Sequence, residues 1–139
     1  MRTVKWSVGG KTYLLAYTVD AMLELQEEAG EVGEMIKTIS ENSREGVDLL
    51  CRCLHVLSRE GELLRRAAGY EPADIPEEKD FRPMIAPRKR VELVDAVAKA
   101  VAAGLLTEEE SEEEVDVTLL ELQKKTEILV EKAGREPIA

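Results

Sequence analysis

The sequence predicts a mostly α-helical protein in which an N-terminal β-hairpin packs on a small helical bundle, followed by an acidic C-terminal helical segment. Apolar and polar residues alternate on both sides of Gly9-Gly10, which is the pattern of two antiparallel strands. Beyond residue 18, apolar residues recur every three or four positions, as they do on one face of a helix. Four of the five prolines fall within residues 70–87, so an irregular connection is predicted there.

The hairpin prediction competes with a phosphate-binding loop, because residues 8–13 read VGGKTY. The P-loop pattern G-x-x-x-x-G-K-[ST] requires a glycine at the position of Lys5. Gly9 and Gly10 instead suit a two-residue turn, which places Trp6 opposite Tyr13. The face predicted to cover the helices consists of Val4, Trp6, Tyr13, Leu15 and Tyr17, and the opposite face carries Lys5, Ser7 and Thr12. The sequence therefore predicts a hairpin and no nucleotide site.

Capping residues and glycines predict where the first three helices begin and end. Thr18 is a suitable N-cap for a helix that ends near Ala29, with Val19, Met22 and Leu23 on one side. A second helix is predicted near Val32 to Ile39, with apolar residues Val32, Met35, Ile36 and Ile39. Asn42 or Ser43 caps a third helix, whose apolar stripe is Val47, Leu50, Leu54 and Leu57. Gly61 either breaks or kinks this third helix, and a further turn ends at Gly69.

A fourth helix is predicted from Pro87 to about Ala103, because proline is favoured in the first helical turn and Gly104 follows. Its predicted core residues are Val91, Val94, Ala98 and Val101. The basic residues Arg88-Lys89-Arg90 lie at its start, where they oppose the helix dipole. We expect this cluster to be solvated at the surface; pairing with the acidic run or with an acidic partner is the alternative.

The chain is expected to divide into a hairpin-plus-helix domain, residues 1–106, and a C-terminal part, residues 107–139. Seven of the nine residues from Glu108 to Asp116 are acidic. A helix is predicted from about Glu113 to Ala133, and its apolar residues cover more than one face. This helix either completes the bundle or binds a partner through the extra apolar surface. The predicted partner-binding residues are Leu119, Leu122 and Leu129.

Composition argues against several classes of partner. A net charge of −10 repels the phosphates of nucleic acid. No apolar run approaches the roughly 20 residues that span a bilayer, and no signal-peptide pattern precedes the hairpin. We therefore expect no nucleic-acid or membrane partner and a cytoplasmic location, which the two cysteines also suit.

The reactive side chains do not form a recognisable catalytic or metal-binding pattern. On a helix, Cys51 and Cys53 point in nearly opposite directions, so they cannot share a metal or a disulfide. Cys51 and His55 share a face, but two ligands are too few for zinc. The acidic run lacks the spacing and the glycine of a calcium loop. We expect buried thiols, no catalytic residue, no metal and no cofactor.

The opening VKWSVGGKTYLLAYTVDAMLELQEEAG resembles the start of tail assembly chaperones, which tailed phages, prophages and gene transfer agents encode beside their tail tube genes. The shared pattern is a glycine-turn hairpin followed by an aromatic-Thr-hydrophobic-acidic entry into a helix. It stands here as Tyr17-Thr18-Val19-Asp20 and Ala21-Met22-Leu23-Glu24-Leu25. The segment GELLRRAAGYEP and the acidic, Leu-rich C-terminal region also resemble the versions found in Firmicutes prophages.

This resemblance implies a non-enzymatic role. Such chaperones bind the long, apolar tape measure protein in the host cytoplasm and keep it soluble until tail tube subunits polymerise around it. The tape measure protein is then the expected partner, with the tail tube protein and self-association as further expected contacts. A structural tail component retained in the virion is the alternative, and a small enzyme is a third class that the missing catalytic pattern disfavours.

Overall fold

The N-terminal hairpin has the predicted register. A computed structural model describes residues 3–105, and within them β1 (Val4–Val8) pairs antiparallel with β2 (Lys11–Leu15). Trp6 lies opposite Tyr13 and Val4 opposite Leu15, as predicted. Gly9 and Gly10 adopt φ values of 58° and 78°, which a glycine reaches without the strain that a Cβ would cause.

Helices make up most of the remaining chain, which confirms the predicted fold class for the described residues. They are α1 (Val19–Ala29), α2 (Val32–Ser40), α3 (Arg44–Ala67), α4 (Glu78–Phe81) and α5 (Arg90–Leu105), with 3₁₀ turns at Arg82–Met84 and Pro87–Lys89. The Thr18 hydroxyl accepts the N–H of Ala21 at 3.1 Å and caps α1 as predicted. Of the two candidates for the cap of α3, Ser43 accepts the N–H of Gly46 at 3.0 Å.

The hairpin packs on the helices through an aromatic cluster. The ring centroid of Trp6 lies 5.4 Å from that of Tyr13 and 5.6 Å from that of Phe81. Phe81 belongs to α4 and is fully buried. Its burial is not visible in the sequence, because a short helix inside a proline-rich stretch has too few residues to show a period. Residues 70–87 are therefore only partly irregular.

Helix α3 runs without a break through Gly61, so of the two predicted alternatives the break is wrong. A Cβ at this position would lie 2.6 Å from the carbonyl carbon of Leu14 and 2.9 Å from its Cβ, with the carbonyl oxygen closer still. Gly61 thus lets β2 cross the helix at close range. Gly104 has the same role against Tyr17, and α5 continues to Leu105 instead of ending near Ala103.

Some apolar residues of α1 and α5 face outwards, among them Val91, which was predicted to lie in the core. Val19 and Leu23 are 66% and 51% exposed, and α1 buries Ala21 and Leu25 instead. Apolar residues surround most of α1, so their spacing does not select one side. The ion pairs of Glu24 with Arg52 at 2.8 Å and with Arg59 at 2.6 Å orient α1 against α3. In α5, Val91 is 46% exposed, whereas Leu93 and Val97 are buried together with the predicted Val94, Ala98 and Val101.

The C-terminal predictions cannot be compared with the described structure. The whole C-terminal part, residues 107–139, lies outside residues 3–105. It includes the predicted helix from Glu113 to Ala133 and the predicted partner-binding residues Leu119, Leu122 and Leu129. Within those described residues, no helix is long and apolar enough to cross a bilayer.

Candidate binding groove

The helices cover one edge of the hairpin and leave the other edge open. On the β2 side, the N–H of Ala16 donates to the carbonyl of Leu57 in α3 at 3.1 Å, and Leu14 packs against Gly61. On the other side, β1 has no strand neighbour besides β2 within residues 3–105. An edge covered by a helix cannot pair with another strand, but an uncovered one can. The available edge is therefore that of β1.

The hairpin register shows which backbone groups this edge presents. In a two-residue hairpin, Val8 and Lys11 form a hydrogen-bonded pair, so Trp6 and Val4 also bond to β2. The N–H and C=O groups of Lys5 and Ser7 then point away from β2. In the described part of the chain, no backbone group outside the hairpin pairs with them. These two N–H donors and two C=O acceptors have the spacing along the edge that is needed to pair with a further strand.

A groove of about 250 Å³ runs along this edge, between β1 and α5. All five residues of β1 line it, although alternate residues of a strand point to opposite faces, so the groove follows the backbone edge itself. Its apolar lining consists of Val4, Trp6, Val8, Met84, Leu93 and Ala96. The charged residues of the rim are Lys5, Lys89, Glu92, Asp95 and Lys99, of which Lys99 and Asp95 pair at 2.9 Å. Such a groove suits an extended, partly apolar segment.

Trp6 connects the groove to the core. Its side chain is only 7% exposed, yet its indole Nε1 has no hydrogen-bond partner among the described residues. Leaving a buried donor unpaired costs about 1–3 kcal/mol. The pattern of the sequence identified Trp6 as a core residue, but it could not reveal that the indole N–H lacks an acceptor.

A second apolar feature lies on α1. Val19 and Leu23 are one helical turn apart and largely exposed, so they form a short apolar ridge. This ridge belongs to the stretch from Tyr17 to Leu25 that carries the family resemblance. Single exposed apolar residues are common on protein surfaces, but two that adjoin on one helix can pack against a partner helix.

A larger, charged cavity of about 620 Å³ is lined by Cys51 and His55, two of the side chains that were considered for chemistry. His55 Nδ1 lies 2.9 Å from the carbonyl oxygen of Pro76 and therefore donates to it. Burial raises the pKa of the Cys51 thiol and raises that of Cys53 to about 12. Both cysteines are thus buried thiols, as predicted, and neither forms much thiolate at neutral pH. Within residues 3–105, no three His, Cys, Asp or Glu side chains are arranged to hold a metal.

The basic cluster is only partly at the surface. Arg88 and Lys89 are exposed, but Arg90 is 8% exposed, so the prediction of a fully solvated cluster is wrong for this residue. Its guanidinium lies 3.3 Å from the carbonyl oxygen of Ser40 and 3.4 Å from that of Ile39. Arg90 therefore binds the C-terminal carbonyls of α2, where a cation also complements the helix dipole. Burial lowers the pKa of Arg90.

Comparison with known proteins does not assign this chain to a family. No protein-family model, no curated protein and no solved structure matches it.

Proposed function

We propose that this protein is a tail assembly chaperone of a tailed phage or prophage. In this role it binds the tape measure protein in the bacterial cytoplasm and keeps it soluble until the tail tube protein polymerises around it. The role is non-enzymatic and requires no cofactor. The support is the resemblance of residues 4–30, whose hairpin and Thr18-capped helix have the local structure that the resemblance implies.

The observation that carries the proposal is the exposed apolar ridge of Val19 and Leu23 on α1. An amphipathic client helix can pack its apolar face on such a ridge. The net charge of −10 keeps copies of the chaperone apart while apolar surface is exposed. Together with the predicted C-terminal residues Leu119, Leu122 and Leu129, the ridge offers two apolar surfaces for one long client.

The test is co-expression with a fragment of the tape measure protein encoded in the same gene cluster. We expect the full chain to keep the fragment in the soluble fraction. We expect Leu23→Ser to reduce the soluble yield at least about threefold, and the triple change of Leu119, Leu122 and Leu129 to Ser to reduce it further. Val91→Ser is the matched control, because Val91 is a similarly exposed apolar residue on α5.

A fragment that stays insoluble with the full chain would contradict the proposal. An equal loss of soluble yield in Leu23→Ser and Val91→Ser would show that the α1 ridge is not the binding surface. Detection of the chain in purified virions by mass spectrometry would favour the alternative role, a structural component retained in the tail.

A further inference from the structure

We propose that the groove between β1 and α5 binds an extended segment of a partner protein, which adds to the edge of β1 as a third strand. The segment that fits has apolar side chains at alternate positions and an acidic side chain between two of them. Neither Val19 nor Leu23 lines this groove, so the inference does not depend on the α1 ridge or on the proposed chaperone function.

The edge of β1 supplies the main-chain contacts for such a strand. The N–H and C=O groups of Lys5 and Ser7 point away from β2, and within residues 3–105 no backbone group outside the hairpin pairs with them. The five residues of β1 extend over about 14–17 Å. The opposite wall runs from Lys89 to Lys99, a rise of about 15 Å along a helix. Both walls therefore match a segment of the same length.

The volume of the groove favours a strand over a small molecule. Its volume of about 250 Å³ lies below the roughly 300–1,000 Å³ of typical small-molecule pockets. Only alternate side chains of an added strand point into the groove, so it has to hold a few apolar side chains and not a whole ligand. Val4 and Val8 on β1 and Leu93 and Ala96 on α5 supply the apolar surface for them.

The pleat of β1 determines which positions of the segment are apolar. Val4, Trp6 and Val8 pack against the core, whereas Lys5 and Ser7 lie on the exposed face. In an antiparallel pair, side chains directly opposite each other lie on the same face of the sheet. The three positions opposite the packed residues are then apolar, and the two between them are polar.

Charge selects an acidic side chain opposite Lys5. The neighbour of Lys5 in β2 is Leu14, which carries no charge. The rim of the groove carries three lysines and two carboxylates, a net charge of +1, although the whole chain has a net charge of −10. Opposite charges directly across a strand pair stabilise the pairing, and like charges destabilise it. An acidic segment is therefore favoured over a basic one.

The same charges disfavour a second copy of this chain as the occupant. Association of two copies brings together two molecules that each carry a net charge of −10. The only charged residue of β1 is Lys5, so a second β1 would supply no carboxylate to pair with it. The partner is therefore expected to be a different protein.

The experiment is amide hydrogen exchange, followed by NMR, on the full-length protein with the end-blocked synthetic peptide SSVTVEVSS. In antiparallel pairing, its valines lie opposite Val8, Trp6 and Val4, and its glutamate lies opposite Lys5. We expect the Lys5 and Ser7 amides to exchange as fast as that of Glu71 in the free protein, after correction for intrinsic rates. With saturating peptide they should exchange at least about tenfold more slowly. Glu71 is exposed, and its amide has no backbone acceptor among the described residues.

Two substitutions at Ser7 separate main-chain from side-chain binding. Proline removes the outward N–H, which pairing with β2 does not use, whereas alanine removes only the hydroxyl that bonds to Thr12 at 2.9 Å. We expect Ser7→Pro to abolish peptide binding and Ser7→Ala to keep the Kd within about twofold. The fluorescence of Trp6, which lines the groove, measures the Kd. The amide of Leu54, in the middle of α3, reports whether the fold is retained.

Charge reversal tests the register independently of the proline variant. We expect Lys5→Glu to raise the Kd for SSVTVEVSS at least about threefold. The peptide SSVTVKVSS, with lysine in place of the glutamate, should show the reverse preference. Lys11→Glu is the matched control, because Lys11 is also exposed but lies on β2, and it should change the Kd by less than about twofold.

Several results would overturn the proposal. Lys5 and Ser7 amides that stay unprotected at millimolar peptide would show that the edge binds no added strand. Protection without peptide would show that the edge is already occupied, by a second copy if the protection disappears on dilution and by the chain itself if it persists. Equal Kd values for Lys5→Glu and Lys11→Glu, or for Ser7→Pro and Ser7→Ala, would refute the assigned pairing.

Discussion

Replacement of Gly61 by alanine tests whether β2 packs closely on α3, because close packing reverses the usual sign of the stability change for Gly→Ala in a helix. In a helix interior, Gly→Ala usually stabilises a protein by up to about 1 kcal/mol, because alanine has the higher helix propensity. We expect the opposite sign here. The added Cβ would lie 2.9 Å from the Cβ of Leu14 and closer to its carbonyl group, whereas ordinary contact begins at 3.4 Å.

The size of the effect follows from the displacement that the methyl group forces. Strand β2 or helix α3 must shift, and overpacking of this kind costs about 1–3 kcal/mol. The shift also strains the hydrogen bond from Ala16 N–H to the Leu57 carbonyl, worth about 0.5–1.5 kcal/mol. After subtraction of about 1 kcal/mol for the gain in helix propensity, the free energy of unfolding should fall by about 0.5–3.5 kcal/mol.

Urea unfolding, followed by the fluorescence of the single tryptophan, Trp6, measures this change. Leu63→Ala is the control, because Leu63 lies two residues further along α3 and is 52% exposed. Its effect should stay within about 0.5 kcal/mol. A Gly61→Ala protein that is more stable than the wild type would refute the close packing of β2 on α3.

Three further predictions concern the hairpin and one buried carboxylate. Trp6→Ala should lower the free energy of unfolding by about 3–5 kcal/mol, because Trp6 is buried against two aromatic rings; a loss below about 1 kcal/mol would mean that the hairpin packs elsewhere. Calorimetry with ATP or GTP and Mg²⁺ should show no binding, and micromolar binding abolished by Lys11→Ala would restore the P-loop interpretation. Glu62 is buried, which by itself raises the pKa of its carboxyl group, but the N–H of Ala73 at 2.9 Å and the guanidinium of Arg65 at 2.6 Å lower the pKa below 4.5 overall. Its contribution to stability is therefore present above pH 4.5 and lost as the pH falls through the lower folded value, so Glu62→Gln should flatten the acid limb of a stability–pH curve. An unchanged acid limb would contradict this assignment.

The sequence predicted the local elements well where a cap, a turn or a period is encoded by neighbouring residues. Gly9-Gly10 determines the hairpin register, and Thr18 and Ser43 begin α1 and α3, because each of these choices depends on backbone groups within four residues. The buried thiols were also predictable, because an unpaired cysteine behaves as a small apolar residue. The proposed client residues Leu119, Leu122 and Leu129 remain predictions.

Contacts between elements that are distant in the chain determine which faces are buried, and the sequence alone did not predict these faces. In the sequence, Gly61 has the features of a helix breaker, but in the structure it is the site where β2 crosses α3. Arg90 has the features of a surface cation, but in the structure it binds carbonyl groups at the end of α2. Val19 and Leu23 face solvent because the packing of α1 on α3 selects one of two similar apolar sides. The groove beside β1 arises in the same way, since α3 covers one edge of the hairpin and α5 leaves the other open. Local chemistry thus determines where helices and strands form, whereas their faces and grooves depend on which distant surface each one meets.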